Sequence, residues 1–269
     1  MRQWRLIYDS PTLGALNMAQ DEAILHAVSH QQALPTLRLY GWQPLCLSLG
    51  YGQAVADADL VRLKAHGWDL VRRPTGGKAI LHGDELTYSV SIPINHPLAE
   101  GDVVTSYRRI SEALMLALAH LGIRPQAEAT PKGNKGLGAV CFEVPSHYEI
   151  TVNGKKLIGS AQVRRKVGIL QHGTIPLTGD IARICDALYY ADEGERATAK
   201  AHVRERATTL EEALGQAIAY DTVAQALRYG FEEAFGLTFV HGTLTDEERA
   251  QAEDFLTNTY TNPLWTEKQ

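Results

Sequence analysis

The 269-residue chain has 45% hydrophobic and 21% charged residues, enough apolar side chains for one large core and unlike the charge-rich composition of a disordered chain. A formal net charge of −5 gives no overall attraction to nucleic acid or an anionic membrane, so an acidic partner has to meet a local basic patch. Cys46, Cys141 and Cys185 lack the paired spacing of a zinc or redox site, and no apolar run suits a signal peptide or membrane span; the expectation is a cytoplasmic protein with free thiols and no metal.

Along the chain, Met18, Leu25 and Val28 predict a first helix that also carries Asp21 and Glu22. Period-2 alternation predicts strands at Leu37 and Leu39, at Leu45, Leu47 and Leu49, and at Leu86, Tyr88, Val90 and Ile92. Tyr107, Ile110, Leu114, Ala117 and Leu121 recur three and four apart, an apolar helical stripe ended by Gly122. A strand at Tyr148, Ile150 and Val152 leads through Asn153-Gly154, a pair suited to a tight type I′ turn, into a return strand, Lys155-Lys156-Leu157-Ile158. Strict alternation there puts Lys156, Ile158 and Ser160 on one face, Leu157 and Gly159 on the other. From about Thr208 the pattern is helical. Asp221 or Thr222 is a candidate cap for a helix through Val223, Leu227, Phe231 and Phe235, stopped by Gly236, and Thr245 with Glu248 forms a capping box. Helices and strands are mixed without strict alternation, so the expected scaffold is a sheet with helices on it.

Three stretches bear on chemistry. In Arg72-Arg73-Pro74-Thr75-Gly76-Gly77-Lys78, adjacent glycines allow close backbone approach to a ligand and the arginines can hold a phosphate or carboxylate; a tight turn with solvated charges fits equally. His82 follows closely. Cys141, in a loop beside Pro145, is easier to expose than Cys46 in its strand or Cys185 in an apolar helical run, although a lone cysteine is more often a packed thiol. In Lys156-Leu157-Ile158-Gly159-Ser160-Ala161, a lysine on the pocket side would favour a thiolate over its free pKa of about 8.5 and attract an acyl oxygen, whereas a strand lysine commonly snorkels from a sheet edge. His172 is a weaker candidate base for Cys141. Lys132, Lys135, Lys155, Lys156, Arg164, Arg165 and Lys166 form either a basic rim for an acidic carrier or a solvated face. There is no HExxH, P-loop or GxGxxG, nor the aromatic interleaving of a nucleic-acid binder.

Taken together, these stretches resemble the biotin/lipoate protein ligase family, and within it the LipM-type octanoyltransferases, from Asn17-Met18-Ala19-Gln20-Asp21-Glu22 through the Gly-Gly loop and the Lys156 strand to Trp265. The Gly-Gly loop and the Lys-x-x-Gly-Ser-Ala strand are common to ligases and transferases. Cys141-Phe142-Glu143-x-Pro145-Ser146-x-Tyr148-Glu149 looks like the LipM nucleophile loop. The resemblance implies an α+β fold with a mixed, largely antiparallel sheet and packed helices. The catalytic domain is expected over residues 1–195, with a helical extension over 196–269 that forms a small subdomain or packs on the same domain.

The resemblance further implies that Cys141 takes octanoyl from acyl carrier protein as a thioester and passes it to a lipoyl-domain lysine, as on the glycine cleavage H protein, with Lys156 lowering the thiol pKa and no ATP or other cofactor. Arg73, Gly76, Gly77, His82, Gly159, Ser160, Ala161 and His172 would bind substrate. Lys78 stands where many ATP-using ligases carry a third glycine, a departure that favours transfer. The rival readings are an ATP-dependent lipoate-protein ligase, an amidotransferase drawing octanoyl from the H protein, and a non-catalytic acyl-binding protein.

Overall fold

A computed structural model describes residues 2–128 and 149–268. In chain order it contains β1 (Arg2–Tyr8), α1 (Gly14–Ser29), β2 (Thr36–Tyr40), β3 (Cys46–Leu49), α2 (Leu60–His66), β4 (Asp69–Arg72), β5 (Ile80–His82) and β6 (Glu85–Pro93). There follow α3 (Val103–His120), β7 (Gln126–Glu128), β8 (Glu149–Val152), β9 (Lys155–Arg164) and β10 (Gly168–Pro176). The C-terminal part holds α4 (Glu193–Arg206), α5 (Leu210–Leu214), α6 (Tyr220–Phe235), β11 (Leu237–His241), α7 (Asp246–Phe255) and α8 (Pro263–Thr266).

The large sheet runs β11-β1-β2-β6-β10-β9-β8-β7 and the small one β4-β3-β5. In the large sheet β1 pairs in parallel with β11 and β2, and all other ladders are antiparallel. The α+β expectation with a mixed, largely antiparallel sheet is what the structure has.

Alternation sorts the large sheet into two unlike faces. Leu37, Leu39, Leu86, Tyr88, Val90, Ile92, Ile169 and Ile175 pack with Ile110, Leu114 and Leu118 of α3 and with Val223, Leu227 and Phe231 of α6. The intervening residues, among them Arg38, Tyr40, Glu85, Thr87, Ser89, His172 and Thr174, are also buried. Apolar–polar alternation usually marks a half-solvated strand. Here α1 packs against β6 and β10 on the polar face. That helix is buried on nearly every side, Asn17 and Asp21 included.

Local signals place most ends. Asn153 (φ 51°) and Gly154 (φ 76°) have the two positive φ angles of a type I′ turn. Gly122 (φ 79°) and Gly236 (φ 57°) stop α3 and α6 in the left-handed region. Thr245 and Glu248 form the reciprocal capping box of α7. The expected cap of α6 needs correction. That helix starts at Tyr220, with Ala219 at the N-cap and no side-chain cap, so Asp221 and Thr222 lie inside its first turn. The segment expected to be helical also contains β11, which extends the sheet beside β1. The boundary at residue 195 falls inside α4.

The sheets are tied to the C-terminal segment by Arg72. Its Nη1 donates to the carbonyls of Gly50 and Gln53, its Nε to Trp265, and its Nη2 to Thr266 and Lys268 at 2.8 and 2.9 Å. The Trp265 indole returns a bond to the Arg72 carbonyl at 2.9 Å.

Candidate active site

A cavity of about 140 Å³ lies between the polar face of the large sheet, α1 and the small sheet. Met18 contributes from α1, Tyr40 and Trp42 from β2 and just beyond, Thr87 from β6, and His172 and Thr174 from β10. Arg73, Gly77, Lys78 and His82 come from the Gly-rich loop and β5, and Gly159, Ser160 and Ala161 from β9. Seven of the eight residues expected to bind substrate therefore meet around one space. Gly76 is not in the wall; its carbonyl accepts from Arg73 Nη2 at 2.9 Å.

Arg73 turns inward on its own loop. Its Nη1 donates to the Ser48 carbonyl and Oγ at 3.0 and 3.1 Å, and Nη2 also reaches the Lys78 carbonyl at 2.8 Å. The guanidinium thus shapes the loop. Gly77 has φ 95°, and a Cβ at Gly50 would come within 1.9 Å of the Gly77 oxygen. Two glycines let the strand end and the loop touch there.

Two buried acid–imidazole pairs lie beside the cavity. His172 Nε2 is 2.7 Å from Thr75 Oγ1 and its Nδ1 is 3.3 Å from Asp21 Oδ2. Asp21 also accepts from Arg38 Nη1 and the Tyr40 hydroxyl, both at 2.9 Å. Burial alone would push the Asp21 carboxyl up, but its bonds to His172 and Arg38 outweigh that and hold it below the usual carboxylate range. Burial, only partly opposed by Asp21, pushes the His172 imidazole down and keeps it neutral at pH 7. In the second pair, His82 Nδ1 lies 2.6 Å from Glu85 Oε1, Nε2 lies 2.8 Å from Ser48 Oγ, and the ring stacks on Trp42 at 3.9 Å.

Asp21, Glu85, Ser48 and Trp42 have no role in the sequence reading. Asp21 left a trace there: it occupies the position between Met18 and Leu25 on the apolar stripe of α1, where a carboxylate needs a buried partner.

Lys156 is 3% exposed, and its ammonium lies 2.7 Å from Glu149 Oε1. It does not snorkel from an edge, because β9 is flanked by β8 and β10. The facing expected for the return strand is corrected by a bulge: Ile150 pairs with Ile158 but Thr151 with Lys156, leaving one extra residue on β9. Leu157 and Ile158 both enter the core. Lys156 instead shares a side with Gly159, where an added Cβ would lie 3.5 Å from the lysine Cε. The lysine thus stands against the β9 wall of the cavity. Cys141, Lys132 and Lys135 lie outside the described residues. Cys46 and Cys185 are fully buried, and burial pushes the Cys46 thiol up, as fits packing residues. The basic stretch is partly tied: Lys155 donates to the Arg204 carbonyl, Arg164 to that of Ala99, and Arg165 pairs with Glu22. Among the described residues no helix is long and apolar enough to cross a membrane.

The chain is 42% identical over 262 residues to octanoyltransferase LipM of Kyrpidia tusciae, covering 95% of this chain and 96% of that protein. It is 39% identical over 273 residues to octanoyltransferase LipM of Exiguobacterium sp., covering 99% and 98%. A bi-partite lipoate protein ligase from Thermoplasma acidophilum, solved in a study of an archaeal lipoylation system, superposes with a TM-score of 0.82 at 26% identity, covering 99% of this chain and 97% of that one. The family model for the lipoyl protein ligase A/B catalytic domain matches residues 14–232, and the chain belongs to that family.

Proposed function

We propose that the chain is an octanoyl-[acyl carrier protein]:protein N-octanoyltransferase of lipoate biosynthesis, working through a thioester on Cys141. The carrying observation is Lys156, a buried ammonium against the wall of an apolar cavity, held by Glu149 eight residues after Cys141 (149 − 141). Whole-length relatives named as octanoyltransferases support the acyl group. The Cys141 thiolate attacks the thioester carbonyl of octanoyl-acyl carrier protein; the new C–S bond forms, the old one breaks, and the carrier thiolate leaves to take a proton from water. The neutral ε-amine of a lipoyl-domain lysine, as on the glycine cleavage H protein, then attacks the Cys141 thioester. The C–N bond forms, the C–S bond breaks, and the amine's proton passes to solvent. The donor arrives activated, so no nucleotide step enters.

Arg73, Gly76, Gly77, His82, Gly159, Ser160, Ala161 and His172 shape the acyl site in this reading, with Lys156 favouring the thiolate and drawing the acyl oxygen. Glu149 competes for the ammonium, so the shift Lys156 gives the thiol is smaller than a lone cation would give. The direct test incubates purified protein with octanoyl-acyl carrier protein without ATP and weighs it. One octanoyl mass on Cys141 is expected; strict dependence on ATP would instead identify a ligase.

Lys156→Ala removes the ammonium that favours the thiolate, so the pH at which a thiol reagent half-labels Cys141 is expected to rise by about one unit. An unchanged labelling curve removes Lys156 from thiol activation.

A further inference from the structure

We propose that the two buried acid–imidazole pairs are positioning groups that pin the 75–78 loop as a wall of the acyl cavity, so that His172 and His82 serve transfer through that loop and are not the acid or base of the reaction. The proposal rests on the octanoyl-transfer reading for its assay.

Both pairs end on the same loop. From the large sheet, Asp21 binds His172 Nδ1 and His172 Nε2 meets the Thr75 hydroxyl. With Asp21 ionised by Arg38, Nδ1 donates and Nε2 is left to accept from Thr75. From the small sheet, Glu85 binds His82 Nδ1 and His82 Nε2 meets Ser48 Oγ. Ser48 then accepts from Arg73, whose other nitrogen holds the carbonyls of Gly76 and Lys78. On a further side Gly50 presses on the Gly77 oxygen with no room for a Cβ. Gly77 and Lys78, which face the cavity, are thus fixed through Thr75, through Arg73 and through Gly50.

A general base needs a ring nitrogen within reach of the proton it takes. Both nitrogens of each ring are already engaged. The proton within reach of His172 Nε2 is that of the Thr75 hydroxyl, and Thr75 is fully buried and outside the cavity wall, away from an acyl carbonyl.

The test uses the full chain with Thr75→Val, Thr75→Ser and His172→Gln, assayed for octanoyl transfer over a range of pH. Thr75→Val keeps the shape and loses the hydroxyl. The expected result is a KM for the acyl donor raised about tenfold with kcat changed far less, recovery in Thr75→Ser, and a pH–rate profile in His172→Gln with its acid limb in place. A kcat loss of a hundredfold or more in His172→Gln together with loss of the acid limb, or a Thr75→Val enzyme with unchanged KM, overturns the proposal. An independent reading comes from imidazole ¹H–¹⁵N spectra, which need no substrate. His172 is expected as the Nδ1–H tautomer, with an Nε2 resonance that moves in Thr75→Val; an Nε2–H tautomer overturns the proposal. A wild type that transfers nothing refutes the functional reading alone and leaves the spectra to decide this one.

Discussion

Cys141→Ser is expected to lower octanoyl transfer to a lipoyl domain by at least about a thousandfold and to abolish the octanoyl mass gain. The two side chains differ by one atom, so packing changes little. The difference is chemical: a thiol ionises near neutral pH, and a neighbouring cation raises the ionised fraction, whereas a serine hydroxyl stays protonated beside the same lysine. In the proposed mechanism that cation is Lys156, which is buried with its ammonium 2.7 Å from Glu149 Oε1. The measurement is the initial rate with octanoyl-acyl carrier protein and a lipoyl domain, alongside a thermal melt to show that the variant is folded. A serine variant transferring at the wild-type rate would end the thioester mechanism.

The second large effect is on stability. Asp21→Ala is expected to destabilise the fold by about 3–5 kcal/mol, read as a shift in the denaturant midpoint. Arg38 is fully buried and donates to Asp9, Asn17, Gln20 and Asp21. Removing the Asp21 carboxylate leaves part of that guanidinium, the Tyr40 hydroxyl and His172 Nδ1 without their acceptor. Asp21→Asn keeps an acceptor and is expected to cost less. The same cluster sets an acid sensitivity. Asp21 and His172 both titrate lower in the fold than their ordinary values of 3.8 and 6.5, so the unfolded chain binds more protons on the acid side of each value. Stability is therefore expected to fall as pH drops below about 6.5 through His172, and again below about 3.8 through Asp21. A stability flat from pH 7 to pH 5 would contradict the His172 part.

Features set by neighbours in the chain were legible from sequence. The stripe of α3, the Asn153-Gly154 turn and the Thr245–Glu248 box each need only a few consecutive residues, and each is present. The side of β9 on which Lys156 lies was not legible, because one bulged residue inverts the alternation and no residue type announces a bulge. β11 was hidden for another reason: its partner β1 lies at the other end of the chain. The site divides in the same way. The glycine loop and the Lys156 strand can be read as stretches, but the Asp21–His172 contact spans 151 positions and exists only once α1 covers β10. Alternation like that of β6 ordinarily marks polar residues as the solvent side; the fold buries them, and nothing in the strand sets Glu85 apart as a buried carboxylate.

The Arg72 clamp has a consequence for the order in which the molecule is made. Its carbonyl acceptors on Trp265, Thr266 and Lys268 lie 193 to 196 residues downstream. A chain leaving the ribosome from its N-terminus has formed the Gly-rich loop long before those groups exist. Until then the guanidinium beside that loop has water in place of its C-terminal partners. The last hydrogen bonds of Arg72 wait for residues 265–268, so the end of β4 that leads into the cavity loop is fastened only once those residues have been added.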